Sequence, residues 1–141
     1  PFVKQLMDAV MRRSQDSGKI RTLLGRLCRF HLWEPNHFGI HKALPHEEAL
    51  KEHGPGIKRA YTYKALNRLI QGSAADMTKK AMVLLYKAGI LPHIQIHDEL
   101  CISVKNTQQA EKIKRIMETA IKLEVPNKVN YKFGPNWGNI N

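Results

Sequence analysis

The clearest alternation of hydrophobic and polar residues lies in residues 91–104. Apolar residues occupy alternate positions on both sides of a short polar break, at Ile94, Ile96, Leu100, Ile102 and Val104. A period of two predicts two β-strands, and the break predicts a tight turn at His97 and Asp98. Aspartate is common in such turns because its side chain bonds the nearby backbone. The sequence therefore predicts a hairpin with a carboxylate at its tip.

Helical spacing of apolar residues appears in three segments. The first covers Phe2 to Ser17 and ends at Gly18, a residue typical of helix C-termini. The second covers residues 58–88, and the third covers residues 107–123 and begins with a capping Thr or Asn. The apolar stripe of the first helix holds Phe2, Val3, Leu6, Met7, Ala9, Val10 and Met11. That of the second holds Leu66, Leu69, Ile70, Ser73, Met77, Ala81, Leu84 and Leu85.

Shorter patterns complete the prediction. Residues 20–33 indicate a hairpin that turns at or near residues 23–26, and residues 128–133 alternate as another strand. Residues 134–138 indicate a turn with Trp137 docked against the fold. Helices segregated against a small antiparallel sheet make an α+β fold.

Residues 34–56 are rich in Pro and Gly and are predicted to be a long loop or insertion. Four histidines in this segment raise the possibility of a zinc site, at His37, His41, His46 and His53. The segment holds no cysteine, and the spacing matches no standard zinc site. Polar surface residues are the favoured interpretation.

The net charge of the chain indicates which class of partner it binds. The chain has 141 residues, 43% of them hydrophobic, which suits one domain with a real core. Its net charge is +11, and up to Lys87 there are 16 Lys and Arg against 7 Asp and Glu, a net of +9. This favours binding to nucleic acid. No apolar run is long enough for a membrane span, and the basic residues are not confined to one amphipathic helix, so no membrane partner is expected.

Two further features concern the location and extent of the chain. Two cysteines, Cys28 and Cys101, form no disulfide framework and fit a reducing cytoplasm. The chain begins with Pro1 rather than Met, which suggests a fragment or a processed product.

Two polar groups carry candidate chemistry. Asp98 and Glu99 lie between apolar strands, and Mg²⁺ prefers one or two carboxylates together with water and phosphate oxygens. The alternative is a solvated turn. On the second helix the polar face carries the amides Asn67 and Gln71 one turn apart, and such amides can donate to minor-groove acceptors shared by A·T and T·A pairs. The small residues 72–75 follow and would let another backbone come close.

The first hairpin carries three arginines, Arg21, Arg26 and Arg29. They are equally compatible with a solvated basic edge and with contacts to phosphates.

Four segments in order resemble family A DNA polymerases, the group of bacterial repair polymerase I and of phage replicative polymerases. Residues 18–26 resemble the family's Gly-Tyr-Val-x-Thr-Leu-Phe-Gly-Arg segment, and residues 65–76 resemble its Asn-x-x-x-Gln-Gly-Thr-Ala-Ala-Asp helix. Residues 95–100 resemble its motif C, and residues 134–137 resemble its Gly-x-Asn-Trp close. Taken together in this order, the segments imply that the resemblance extends over nearly the whole chain except the insertion at residues 34–56. A phage source would place the protein in the host cytoplasm.

The resemblance implies a fold and a role for individual residues. The fold would be a palm-type antiparallel sheet with packed helices, in which residues 1–33 end the fingers region and residues 57–141 supply the palm-side helix, the motif C hairpin and a C-terminal strand. Asp98 would hold two Mg²⁺ ions with help from Glu99. DNA contacts would come from Asn67, Gln71, His97 and Arg26, and Lys64 and Arg68 are further candidate DNA-binding residues. The chain departs from the family before Asn67, where many relatives carry Arg four residues earlier and this chain has Tyr63 followed by Lys64.

The resemblance also implies what the chain needs. The family's other metal-holding aspartate, in motif A, and its nucleotide-binding fingers helix lie upstream of the matched segments. Two-metal phosphoryl transfer needs carboxylates that bridge both ions. We therefore expect a C-terminal part of a DNA-directed DNA polymerase that adds deoxynucleoside triphosphates to a primer–template with an N-terminal fragment or subunit.

Two alternative functions are also considered. A single-subunit phage-type RNA polymerase has a related palm, but its motif C more often runs His-Asp-Ser, and Glu99 argues against it. A basic DNA-binding module without catalysis would use Asp98 only to turn the chain.

Overall fold

A computed structural model describes residues 1–140, which divide into two compact units. The first comprises Pro1–Ser73 and the second begins at Ala74. Within the described residues there are four α-helices and three small antiparallel sheets. The predicted α+β class is confirmed. No helix within this part of the chain has the length and apolar character that crossing a lipid bilayer requires.

The first helix, α1, spans Phe2–Ser17 as predicted. It ends because Gly18 adopts φ 67°, a left-handed conformation that glycine takes without steric cost, and its N–H donates to the Ser14 carbonyl. The predicted apolar stripe is exposed for most of its length, because only Val10 and Ser14 of this helix are buried. Phe2 is 72% exposed. Periodicity identifies an apolar stripe, but a neighbouring element must be present to cover it.

The first hairpin is shorter than predicted. Strand β1, Lys19–Arg21, pairs antiparallel with β2, Leu27–Arg29. The prediction extended it to Trp33, but β3, Leu32–Pro35, belongs to a separate sheet with the order β4-β3-β5. The first core forms where α1, the hairpin and the following helix meet, and its buried residues are Val10, Ile20, Phe30 and Ala65.

The predicted loop at residues 34–56 is wrong in part. It contains β4, Leu44–Pro45, and α2, His46–His53. Acidic residues in the first turn of α2 and basic residues in the last turn complement the helix dipole, and Ala49 is fully buried. The prediction of a loop rested on the flanking Pro and Gly residues and gave less weight to these signals of a helix.

The long helix, α3, spans Ala65–Lys87, so the predicted start at residue 58 is too early. Residues Ile57–Arg59 form β5 instead, paired antiparallel with β3, and the 3-10 helix Thr62–Lys64 leads into α3. The boundary between the two units falls within α3. The apolar stripe predicted for this helix is buried or half-buried, except for Ile70, which is 56% exposed.

The second unit contains the predicted hairpin, with β6 at Ile94–Ile96 and β7 at Glu99–Cys101. Helix α4 spans Thr107–Glu118, and the Asn106 side chain accepts a hydrogen bond from the Gln109 N–H at 2.9 Å, as expected of an N-cap. The core of this unit is built on Leu85, Ile90 and Ile113. Partly buried residues that pack against it include Leu100, Ile102, Val104, Ile116 and Met117.

The predicted strand at residues 128–133 is wrong, because this segment pairs with no strand of the part of the chain that the structure describes. Carboxylates of α4 hold it instead. Glu118 accepts from the Val129 N–H at 3.0 Å, and Glu111 accepts from the Tyr131 hydroxyl at 2.9 Å. The latter bond raises the pKa of Tyr131 above its usual value of 10.0. Trp137 begins a 3-10 helix, Trp137–Asn139, and is 57% exposed, so its predicted docking is also wrong.

Candidate nucleic-acid and metal sites

The β6–β7 hairpin places three polar side chains at its tip. Its last paired residues are Ile96 and Glu99, which leaves His97 and Asp98 as a two-residue turn. His97 adopts φ 52°, in the left-handed region that such turns require. The Gln95 side-chain amide donates to the His97 carbonyl at 3.1 Å and steadies the turn. The predicted turn at His97 and Asp98 is confirmed.

The two carboxylates at this tip point away from any core. Asp98 and Glu99 are both exposed, and among residues 1–140 neither forms a salt bridge. Adjacent, accessible carboxylate oxygens on a strand-supported turn fit part of a Mg²⁺ site, since that ion keeps several waters and shares phosphate oxygens. Within the described residues no group of three or more His, Cys, Asp or Glu is assembled for a metal. The tip therefore supplies part of a coordination shell.

A second polar surface lies on the first turns of α3 and on Lys64, the last residue of the preceding 3-10 helix. Lys64, Asn67, Arg68 and Gln71 are all exposed, and their three- and four-residue spacing puts them on one face. We call these four residues the α3 polar face. Amides and cations interleaved along a rigid helix can contact base edges and phosphates together.

Aromatic rings hold the two cations of the α3 polar face. The Lys64 ammonium lies 5.4 Å from the ring centres of both Tyr61 and Tyr63. The Arg68 guanidinium lies 5.0 Å from the ring centre of Phe30, which is buried in the first core. Such cation–π contacts restrict flexible side chains while leaving the charge accessible. The sequence identified these cations but gave no sign of their aromatic partners.

Arg26 lies in the turn of the first hairpin and is exposed. Its Nη2 donates to the Gly72 carbonyl at 2.8 Å. The adjacent Leu23 N–H donates to the Ser73 hydroxyl oxygen at 3.0 Å. The expectation that small residues after Gln71 let another backbone come close is confirmed, because this turn is the segment that approaches.

Three of the four histidines of residues 34–56 are in ring contact with one another. The His41 ring is in edge contact with the rings of His37 and His53, with centres 4.7 and 6.1 Å apart, whereas His46 contacts Trp33. The buried Nε2 atoms of His41 and His53 have no hydrogen-bond partner among the described residues.

Arg59 is an organising residue that the sequence analysis did not single out. Its Nε donates to the Gln15 carbonyl and its Nη1 to the Phe30 carbonyl, each at 2.9 Å. Its guanidinium also lies 4.6 Å from the Trp33 ring centre. These contacts join α1, β3 and the end of the first hairpin. Arg59 therefore helps to hold together the unit that carries the α3 polar face. No periodicity marks such a residue, because its role depends on contacts distant in sequence.

Comparison with known proteins identifies the family that this chain resembles. Residues 1–139 match the family described as DNA polymerase family A. A DNA-directed DNA polymerase of Pseudomonas phage M6 is 38% identical over 138 residues, which are 98% of this chain and 18% of that protein. DNA polymerase I of Geobacillus stearothermophilus is 32% identical over 149 residues, covering 97% of this chain and 15% of that protein. The chain thus spans less than a fifth of these relatives.

A solved structure gives the same result. The chain is similar to a structure described as the POL domain of Pol1 from M. smegmatis in complex with DNA primer-template and dNTP, with a TM-score of 0.66 and 28% identity. The similarity covers 96% of this chain and 22% of that one. The resemblance found in four sequence segments is confirmed over nearly the whole chain, and the chain belongs to DNA polymerase family A.

Proposed function

We propose that this chain is the C-terminal part of a DNA-directed DNA polymerase, which adds deoxynucleotides to a primer 3′ end. The observation that carries the proposal is the exposed Asp98 at the tip of a strand-supported hairpin, in a chain that matches family A from residue 1 to residue 139. The M. smegmatis structure, with its primer-template and dNTP, supports these as the substrates of the protein to which this chain belongs.

The hairpin tip is the proposed catalytic end. Asp98 and Glu99 would hold Mg²⁺, and two such ions in the assembled site would supply the charge stabilisation that phosphoryl transfer needs. The chain contributes two exposed carboxylates on a turn steadied by Gln95. His97, in the same turn, would lie near the primer terminus.

The α3 polar face is the proposed duplex contact. Asn67 and Gln71 would donate to minor-groove acceptors, which A·T and T·A pairs share, so the contact would sense duplex shape rather than sequence. Lys64 and Arg68, held against aromatic rings, would neutralise phosphates. Support for Arg26 as a phosphate contact is weaker, because one of its donors is bound to the Gly72 carbonyl.

Completion of the site requires an N-terminal portion or partner of the same polymerase, which would carry the motif A aspartate. Exposed apolar side chains support the requirement for such a partner. Ile94 and Ile96 on β6 are 43% and 36% exposed, although strands of this kind normally bury such residues. On α1 the uncovered stripe includes Phe2 and Val3. We propose that the N-terminal portion covers these surfaces.

Reconstitution tests the proposal. The chain is mixed with the upstream polymerase segment, primer–template, deoxynucleotides and Mg²⁺, and Asp98→Ala is compared with wild type. We expect extension to fall at least about 10³-fold while DNA affinity is largely kept. Glu124→Gln, which alters another exposed acid, serves as the matched control and should extend normally. Equal extension by Asp98→Ala and wild type would leave only the basic DNA-binding module as the function.

A further inference from the structure

The turn of the first hairpin is fastened to α3 immediately after Gln71. The Arg26 guanidinium donates to the Gly72 carbonyl at 2.8 Å, and the Leu23 N–H donates to the Ser73 hydroxyl oxygen at 3.0 Å. The Ser73 hydroxyl in turn donates to the Leu69 carbonyl at 2.7 Å. We call the contacts of residues 22–26 with Gly72 and Ser73 the hairpin clamp.

Gly72 makes this close approach possible. A Cβ atom at this position would lie 2.8 Å from Thr22 Cγ2 and 3.3 Å from Arg26 Nη2, and the first distance is too short for two carbon atoms. Glycine inside a helix costs about 1 kcal/mol relative to alanine. The glycine therefore has a packing reason, which is space for the methyl group of Thr22.

The turn itself is rigid enough to act as a fixed support. Thr22 N–H donates to the Arg26 carbonyl at 3.0 Å, and the Arg26 N–H donates back to Thr22 Oγ1 at 3.1 Å. Arg21 Nη1 donates to the Gly25 carbonyl at 2.8 Å. Thr22 is 5% exposed, so the clamp closes over a buried residue.

We infer that the hairpin clamp is a positioning device for Gln71, so that Thr22, Arg26 and Gly72 set primer–template affinity without needing to touch the DNA. This inference rests on the proposed function, in which Gln71 contacts the duplex minor groove. Gln71 is exposed and precedes Gly72 directly, so a shift of the clamped backbone moves its side chain. Arg26 is then a positioning residue, which differs from a direct contact with phosphate.

A paired substitution tests the inference. Gly72→Ala should weaken binding of primer–template to the chain roughly fivefold or more, because the added methyl group overpacks the clamp. Thr22→Ser removes the methyl group that collides and keeps the hydroxyl, so the double variant Gly72→Ala, Thr22→Ser should recover affinity to within about twofold of wild type. Gly56→Ala is the matched control, because a Cβ there meets nothing within 4 Å.

A double-mutant cycle with Gln71→Ala separates positioning from general damage to the fold. If the clamp acts through Gln71, Gly72→Ala adds less than about twofold to the loss already caused by Gln71→Ala. Full additivity of the two losses, or no rescue by Thr22→Ser, overturns the inference while leaving the proposed function intact. If wild-type affinity does not depend on Gln71, the proposed minor-groove role fails and the inference fails with it.

Salt dependence tests Arg26 itself. A residue that neutralises one phosphate contributes about 0.9 to the slope of log affinity against log salt concentration. The positioning role predicts that Arg26→Ala lowers affinity at each salt concentration and leaves the slope unchanged. A slope reduced by about 0.9 would assign Arg26 to the DNA backbone and would contradict its positioning role.

Discussion

The chain carries two β-hairpins of similar length that are supported in different ways. The β1–β2 hairpin leaves Ile20 only 3% exposed, and its turn is hydrogen-bonded to Gly72 and Ser73 of α3. The β6–β7 hairpin packs Leu100 against a core but leaves Ile94 and Ile96 on its surface. Its turn is held by the Gln95 amide within the hairpin.

The first hairpin is supported by contacts with α3, whereas the second carries the candidate metal ligands. The first hairpin is stabilised by residues within the described chain, and we propose that it fixes the helix that carries the α3 polar face. A two-stranded hairpin alone is marginally stable in water. The second hairpin combines an exposed apolar side with two exposed carboxylates, as expected for an element that is completed when the rest of a polymerase covers it.

The largest expected effect on stability distinguishes the two hairpins directly. Ile20→Ala should reduce the free energy of unfolding by about 2–5 kcal/mol, because it empties a site in the first core. Ile96→Ala, on the exposed side of β6, should cost less than about 1 kcal/mol. Urea denaturation of both variants measures the difference. Equal losses would show that β6 is buried as β1 is and would remove the contrast.

A smaller effect is expected on DNA binding. Gln71→Ala should weaken affinity for primer–template roughly tenfold on every sequence tested, because it removes a donor to acceptors that base pairs share. Gln108→Ala, an exposed glutamine on α4, is the matched control. Fluorescence anisotropy with duplexes of differing base composition measures both. A loss confined to particular base pairs would argue against shape sensing.

The smallest effect compares the turns of the two hairpins. Ser73→Ala removes the acceptor of the Leu23 N–H and should cost about 1 kcal/mol of stability. Gln95→Ala removes an exposed hydrogen bond and should cost under about 0.5 kcal/mol. Thermal unfolding monitored by circular dichroism measures both changes. A larger loss for Gln95→Ala would reverse the order of support that we assign.

Features set by neighbouring residues could be predicted from the sequence. The end of α1 at Gly18, the turn at His97 and Asp98, and the Asn106 cap all depend on local backbone chemistry. The candidate carboxylates and the exposed placement of Asn67 and Gln71 followed from the same short-range patterns. Strand and helix periods therefore located the hairpin tip and the polar side of α3.

Features set by distant partners could not be predicted. The predicted long helix began at residue 58, but pairing with β3 makes Ile57–Arg59 a strand. Residues 128–133 alternate like a strand, yet Glu111 and Glu118 hold them without one. The contact between Thr22 and Gly72 joins residues 50 positions apart, and only the folded chain reveals it.

The claim that matters most is that the β6–β7 tip binds the catalytic metal. In the reconstituted polymerase with primer–template and nucleotide, Fe²⁺ replaces Mg²⁺ and hydrogen peroxide is added. The peroxide oxidises bound Fe²⁺ to Fe³⁺ and is itself reduced to hydroxide and a hydroxyl radical, which cuts the nearby backbone. We predict cleavage at residues 97–99, competed by excess Mg²⁺ and absent in Asp98→Asn. Cleavage that avoids this tip, or that persists unchanged in Asp98→Asn, would contradict the account.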